Sequence, residues 1–328
     1  MPAMPAIPPS PTTPPQPSAA PAPRVSVIIL SWNRKQDILD TLEHLRLQTY
    51  RGYEVVVIDQ ASDDGTPQAV VERFPEVRLV KLDRNLGVPG GRNVGVEHAR
   101  GELLVFLDND AFLEPEGLEK LVAKFDAEPT VGILGCRIEN FFTGDMDHGS
   151  WVYPKNRKGD YEREFETYTF AGGGSAMRRR TFDEAGGYWA DLFMYWEECD
   201  LSLRAMKAGH RLLYFPSVVV RHRTSPEKRL PTGRSLAMTL RNSLWTNWRS
   251  LPRSAAVVST VVRVAAYVVK GLRSGCAWTV LRGAVGAFRR IGLLWGDEHR
   301  LSAQQHARYR GLSHQGPWRE RWRALFRG

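Results

Sequence analysis

Residues 102–113 read ELLVFLDNDAFL, and this stretch decides the fold. Leu103, Leu104, Val105, Phe106 and Leu107 form an unbroken apolar run, the pattern of a strand buried on both faces of a sheet. The run ends in Asp108, Asn109 and Asp110. A central strand ending in two carboxylates one residue apart places them at the carboxyl edge of the sheet, where ligands of open α/β folds bind. Two such carboxylates suit Mg or Mn, which take oxygen ligands. An acidic turn is the competing reading of Asp-X-Asp alone, so the flanking sequence has to decide.

Upstream, Arg24–Leu30 (RVSVIIL) reads as a buried strand ending at Ser31, Trp32, Asn33 and Arg34, with helical spacing after it. Glu54–Ile58 is a second strand, followed by DQASDDGT, and Pro67–Phe74 has helical spacing. Val77–Leu82 is a third strand. Asn85–Gly95 (NLGVPGGRNVG) reads as a glycine-rich loop entering a helix that runs to about residue 99. This alternation implies parallel βαβ units. A dinucleotide-binding dehydrogenase would carry G-x-G-x-x-G directly after its first strand. Here Ser-Trp-Asn-Arg stands there instead, and there is no P-loop.

Four segments in order, VSVIILSWNR, VVVIDQASDDGT, NLGVPGGRNVGV and FLDNDAF, resemble family 2 glycosyltransferases of the GT-A fold, with bacterial rhamnosyltransferase-like members most similar. The resemblance covers about residues 24–225. It implies a nucleotide-diphospho-sugar transferase fold with a mostly parallel central sheet. It also implies an inverting enzyme of envelope polysaccharide assembly, with a UDP- or dTDP-sugar donor, dTDP-rhamnose first among them, and a divalent metal. On this resemblance Ser31, Trp32, Asn33 and Arg34 line the nucleoside, and Asp59 accepts from the ring N–H of uracil or thymine. Arg92 lies near the base or the diphosphate, and Asp108 and Asn109 lie near the donor. Asp108 and Asp110 bind the metal. The simpler readings are a helix cap for Asn33, a turn for Asp63, Asp64 and Gly65, and a surface charge for Arg92.

Downstream, Pro115 opens a helix through about Phe125, and Val131–Cys136 is a strand. Residues 140–165 show no usable pattern. In FAGGGSAMRRR, Gly172, Gly173 and Gly174 let backbone approach a ligand closely, or form a hinge. In the family this segment borders the acceptor. Phe193–Trp196 then runs into Glu197, Glu198, Cys199 and Asp200 at a helix start, where acids suit the positive helix end. The resemblance puts the general base here. Glu198 is the expected base, with Glu197 left open, and Trp196 and Glu197 face the acceptor. Arg211–Val220 is a last strand, and His222 after it falls where the family has its third metal ligand. An imidazole with two carboxylates suits Mn or Mg.

The net charge of +9 is split: residues 221–328 carry 21 Lys/Arg against 4 Asp/Glu, a net of +17, and the remainder is net −8. Such a tail points to a polyanion. From Leu236 to Trp295 the pattern is helical and apolar with basic interruptions. Arg263 and Lys270, and likewise Arg282 and Arg289, are spaced to share a face. Trp245, Trp248, Trp278 and Trp295 suit a membrane interface. The longest uncharged run, Ser254–Val262, is nine residues, which argues against a span of the roughly 20 residues that a bilayer needs. A basic amphipathic region on an anionic membrane is expected, with helices packed on the catalytic body as the alternative. No nucleic-acid motif accompanies the charge.

Residues 1–23 hold ten prolines and read as a disordered leader with no signal peptide. Residues 24–225 read as the catalytic domain (24–110 nucleotide-binding, 111–225 acceptor) and 226–328 as a basic helical appendage, with a short helix at 317–327. Cys136, Cys199 and Cys276 are too few and too scattered for a disulfide framework. The expected location is cytoplasmic, peripheral on the inner membrane face, with a glycan or lipid-linked acceptor. Two other classes compete. A nucleotidyltransferase has no need of the aromatic-acid segment at 193–200, and a non-catalytic sugar-nucleotide or membrane-binding module never turns over.

Overall fold

A computed structural model describes residues 22–223 and 231–313. The leader up to residue 21 and the helix expected at 317–327 lie outside the described residues. The β-branched runs form the strands, and the amphipathic stretches between them form helices on both faces. In chain order these are β1 (Val25–Ser31), α1 (Lys35–Leu45), β2 (Tyr53–Asp59), α2 (Thr66–Arg73), β3 (Arg78–Lys81), α3 (Gly87–His98) and β4 (Leu103–Leu107). Then come β5 (Ala111–Leu113), α4 (Gly117–Ala127), β6 (Val131–Asn140), β7 (Phe165–Glu166), β8 (Gly174–Arg178), α5 (Arg179–Glu184), α6 (Glu197–Lys207) and β9 (Arg211–His222). Among the described residues, α7 (Thr232–Ser250), α8 (Arg253–Arg273), α9 (Ala277–Ile291) and α10 (Ala303–Leu312) follow.

The nine strands form one sheet in the order β3-β2-β1-β4-β8-β6-β9-β5, with β7 beside β9. Strands β3, β2, β1, β4, β6 and β9 run one way, and β8, β5 and β7 run the other. The central sheet is therefore mostly parallel. Every residue of β4 is buried, as its unbroken apolar run requires. One face of the sheet packs on α1, α2 and α4 and the other on α3, α5 and α6. Because β1, β2, β4 and β9 are parallel, Ser31, Asp59, Asp108 and His222 end at the same edge.

The expected glycine-rich loop is largely helix. Gly90, Gly91 and Gly95 lie inside α3. A Cβ on Gly95 would stand 2.4 Å from Ile28 Cγ2, and one on Gly91 would stand 3.0 Å from Leu30 Cδ2. These glycines serve close helix–sheet packing, which outweighs their poor helix propensity.

The C-terminal helices pack on the α/β body. Leu240, Leu244 and Trp245 of α7 bury against Leu192 and against Val280, Ala284 and Ala287 of α9. Tyr309 of α10 joins the cluster that contains Leu201 and Leu301. Trp245 and Trp248, expected at a membrane interface, are buried instead. Their indole N–H groups donate to Ala287 O (3.1 Å) and Thr260 Oγ1 (2.9 Å), the partners a buried Trp requires. Trp278 and Trp295 are exposed. The uncharged run of nine residues turns out to be too strict a test for a span. Helix α8, 21 residues long, is long and apolar enough by length and composition to cross a membrane, with Arg263 inside it. Arg263 shares no outward basic face with Lys270; it turns inward over the Trp196 ring.

Candidate active site

Three strand ends bring Asp108, Asp110 and His222 together, one ligand atom from each lying within 4.8 Å of the others. Asp110 reaches His222 because β5 pairs antiparallel with β9, placing Ala111 opposite His222. His222 Nε2 is 3.2 Å from Asp110 Oδ1, and its Nδ1 is 2.9 Å from Asp147 Oδ2. Asp147, in the stretch without readable pattern, thus orients the ring as carboxylates do behind metal-bound histidines. Burial disfavours the imidazolium, but Asp110, Asp108 and Asp147 outweigh it and hold the His222 pKa at about 9. Two carboxylates and an oriented imidazole fit a divalent cation, which would displace that proton.

Beside this trio the β1 and β2 ends form a platform. Asp59 is buried; its Oδ2 accepts from Ser62 N (3.0 Å), and its Oδ1 has no partner among the described residues. Ser31 Oγ is likewise buried without a partner among them. An unpaired buried carboxylate oxygen is costly unless a ligand donates to it. Trp32 is half-exposed. Asn33, in the left-handed region at φ +52°, receives Asp63 N on its Oδ1 (2.8 Å) and stitches the two loops together. The residue capping α1 is Arg34, whose guanidinium pairs with Asp37 at 3.2 Å. Asp64 takes Lys35 N and Thr66 N, so it serves as a turn and cap. Asn109 offers its backbone carbonyl to Thr41 Oγ1 (2.8 Å).

Arg92 joins the two halves of the site. It is buried on α3, donates from Nη1 to Glu198 Oε1 (2.9 Å), and stands 3.6 Å from Asp108 Oδ1. Its guanidinium carbon lies over the Phe106 (5.7 Å) and Tyr188 (5.5 Å) rings. Two carboxylates and two π faces compensate its burial. This is not a surface charge.

A cavity of about 620 Å³ opens beside Arg92, Asp108, Glu197, Glu198 and His222, with Gly172, Gly173 and Trp196 in its wall. The two glycines are required by approach distance. A Cβ on Gly172 would stand 1.9 Å from Glu198 Oε1, and one on Gly173 would stand 2.1 Å from Asp108 Oδ2. Gly174 begins β8 and packs against Val220 and Ile138 without itself lining the cavity. Glu197 is buried, with Oε2 unpaired among the described residues. Burial first, and the Glu198 carboxylate second, hold its pKa well above the ordinary carboxylate range. Asp200 is fully buried and salt-bridged to Arg204, where it serves structure.

The segment before α6 is strained. Phe193, Tyr195 and Trp196 have φ of +63°, +71° and +73°. Each such residue costs roughly 1–3 kcal/mol and persists only when its surroundings hold it. The clamp is Asn242 of α7, buried, whose Nδ2 reaches Leu192 O (2.9 Å), Met194 O (2.8 Å) and Tyr195 O (2.8 Å).

The sequence and the fold match known proteins. The sequence model for "Glycosyl transferase family 2" matches residues 26–186. The uncharacterized glycosyltransferase YwdF of Bacillus subtilis is 31% identical over 193 residues, covering 56% of this chain and 68% of that protein. The chain belongs to glycosyl transferase family 2. The N-acetylglucosaminyl-diphospho-decaprenol L-rhamnosyltransferase of Mycobacterium tuberculosis is 28% identical over 233 residues, 61% of this glycosyltransferase and 74% of that one. Among solved structures, the mannosyltransferase PcManGT from Pyrobaculum calidifontis, in complex with GDP-Man and Mn2+, superposes with a TM-score of 0.54 at 21% identity. The match covers 94% of this glycosyltransferase and 86% of that chain. The fold is the GT-A type.

Sequence reasoning missed Asp147, Asn242 and Arg263 in this glycosyltransferase. Asp147 and Asn242 sit in stretches with no motif, and Arg263 looked like one of several basic residues on an exposed helix. Only tertiary packing brings them to the site.

Proposed function

We propose that this glycosyltransferase is an inverting, metal-dependent enzyme that moves a sugar from a UDP- or dTDP-sugar to a hydroxyl of a lipid-linked glycan acceptor at an anionic membrane. The observation that carries this reading is a single cavity lined by Glu198 and by two members of the trio, Asp108 and His222. Inversion needs an in-line displacement at the anomeric carbon. Glu198 takes the proton of the acceptor hydroxyl while its oxygen bonds to that carbon, and the bond to the diphosphate oxygen breaks. Arg92 holds Glu198 Oε1, which fixes the carboxylate and leaves Oε2 for the acceptor. Such general-base catalysis contributes about 10²–10⁴ in rate. Asp108, Asp110 and His222 would hold a Mg or Mn ion, which would supply positive charge for the leaving diphosphate. Asp59 Oδ1 takes the ring N–H of uracil or thymine, and residues 31–34 flank the nucleoside.

The rhamnosyltransferase relative makes dTDP-rhamnose the first donor to try and a lipid diphosphate the first acceptor. The metal in PcManGT supports the cation. Membrane docking rests on an exposed apolar stripe at helical spacing on α9, namely Trp278, Leu281, Val285 and Phe288. Exposed Arg282 and Arg289 lie on the same helix. Such a face suits the headgroup layer, with each basic residue contributing about 1 kcal/mol near anionic lipid. Helix α8 instead turns Ala256, Thr260, Ala266 and Gly271 toward the protein, which favours peripheral binding on the inner face over a span.

The test is incubation with UDP- and dTDP-sugars and Mn, following nucleoside diphosphate release. Slow release that stops in chelator is expected. Pyrophosphate release would instead indicate a nucleotidyltransferase, and binding with no release a non-catalytic module.

A further inference from the structure

The cavity wall extends beyond the family match, which ends at residue 186, to Thr239, Arg263 and Tyr309 of the C-terminal helices. Arg263 differs from the other cations in this wall. Arg92 is paired with Glu198 and Asp108, and His222 with Asp110 and Asp147. Arg263 has no carboxylate within 4.0 Å among the described residues; its Nε meets only a neutral hydroxyl, Ser259 Oγ, at 3.3 Å. Its guanidinium carbon lies 4.3 Å over the Trp196 ring. Stacking fixes the plane of a guanidinium and leaves its in-plane N–H groups free, the arrangement that receives phosphate oxygens in a bidentate manner.

We propose that Arg263 is the receptor for a phosphate group on the acceptor, and that this acceptor is a phosphorylated amphiphile. The inference deepens the reading of the cavity as an acceptor site and rests on it. Two further observations agree. Trp196, under Arg263, is the residue immediately before Glu197 and Glu198, so an anion held there lies beside the expected base. The cavity wall that holds Arg263 also holds Val152, Tyr168, Phe170 and Met194, so a hydrocarbon chain leaving the phosphate has apolar surface to follow. Lys at this position would keep the charge but lose the planar fork and the stack.

The test uses the full chain in chelator, so that the Asp108–Asp110–His222 trio holds no cation to attract phosphate. Calorimetric titration compares decyl phosphate, decanol and inorganic phosphate. Decyl phosphate should bind the unaltered protein more tightly than either control. Arg263→Gln should weaken decyl phosphate at least tenfold, Arg263→Lys should fall between, and decanol should be indifferent to both changes. Equal decyl phosphate affinity in Arg263→Gln and the unaltered protein would overturn the proposal. So would equal binding of decyl phosphate and decanol to the unaltered protein, a comparison that needs no variant to fold. Inorganic phosphate binding as tightly as decyl phosphate would overturn the amphiphile and identify free phosphate as the ligand. UDP and dTDP titrated with Mn report separately on the donor side. Their failure to bind the unaltered protein would remove the UDP- or dTDP-sugar donor while leaving the anion result standing, and their weakening in Arg263→Gln would assign Arg263 to the donor instead.

Discussion

The two sides of the cleft are held in place by different means. On the nucleotide side, each side chain is fixed by its own loop or the next one. Asp59 is fixed by Ser62 three residues on, Asn33 by Ser62 and Asp63, and Lys35 N by Asp64. On the acceptor side, the strained Phe193–Trp196 segment is held by Asn242, 47 to 50 residues away. The trio lies between these cases, with Asp108 and Asp110 local to one strand end and His222 brought in by β9. A site built from strand ends forms as soon as the parallel sheet forms. A site built on a strained segment forms only when a remote helix docks.

This difference predicts that changes on the two sides fail differently. The largest effect belongs to the shared trio. Removing the metal, or replacing Asp110 or His222 by Ala, should abolish transfer at ordinary metal concentrations. Full activity of verified metal-free protein would contradict the assignment. Next comes Glu198→Gln, which removes the base and keeps the shape. It should lower kcat by about 10²–10⁴ while donor and metal affinity stay put. A collapse of donor affinity would mean that Arg92, left with one carboxylate fewer, was the residue that mattered.

Asn242→Ala sharpens the contrast. It takes the donor from Met194 O and Tyr195 O, leaves Leu192 O to Arg241 and Met194 N, and releases a segment with three left-handed residues. A loss of about 1–3 kcal/mol in stability is expected, with kcat for transfer falling about tenfold and donor KM unchanged. Asp59→Ala is its mirror. Donor KM should rise about tenfold with kcat nearly preserved, since only ground-state binding is lost. If Asn242→Ala raised donor KM and Asp59→Ala lowered kcat, the two sides would not be separately built.

The same contrast explains what could be read from the chain beforehand. Strand ends announce themselves: five apolar residues followed by Asp108-Asn109-Asp110 fix both the element and the edge at which it stops. That logic gave β1, β2, β4 and β9, and with them the placement of Asp59, Asp108 and His222. It failed where packing decides. Gly91 and Gly95 read as loop because glycine is a poor helix former, yet they lie in α3 because Leu30 and Ile28 leave no room for a Cβ. Trp245 and Trp248 read as interfacial because composition cannot say which face of a helix finds a neighbour. Asn242 carries no local signal at all; its partners are backbone carbonyls, which every residue has.

The smallest expected effect concerns Glu197, the alternative to Glu198 as base. Its carboxyl is buried with one oxygen unpaired, and burial together with Glu198 raises its pKa. A carboxyl whose folded pKa exceeds its unfolded one binds more protons in the native state. Stability is then greatest below the unfolded value, about 4.3, and falls as pH rises toward the folded value. Glu197→Gln removes that dependence. Relative to the unaltered protein, the variant should gain stability as pH is raised from about 5 through neutrality, on the order of 1 kcal/mol or a few degrees in Tm. Its kcat should stay within a few-fold, because a neutral amide replaces a neutral acid. Parallel stability curves would show that Glu197 is ionised in the folded protein. A kcat loss as deep as that of Glu198→Gln would move the base to Glu197 and leave Glu198 as the partner that holds Arg92.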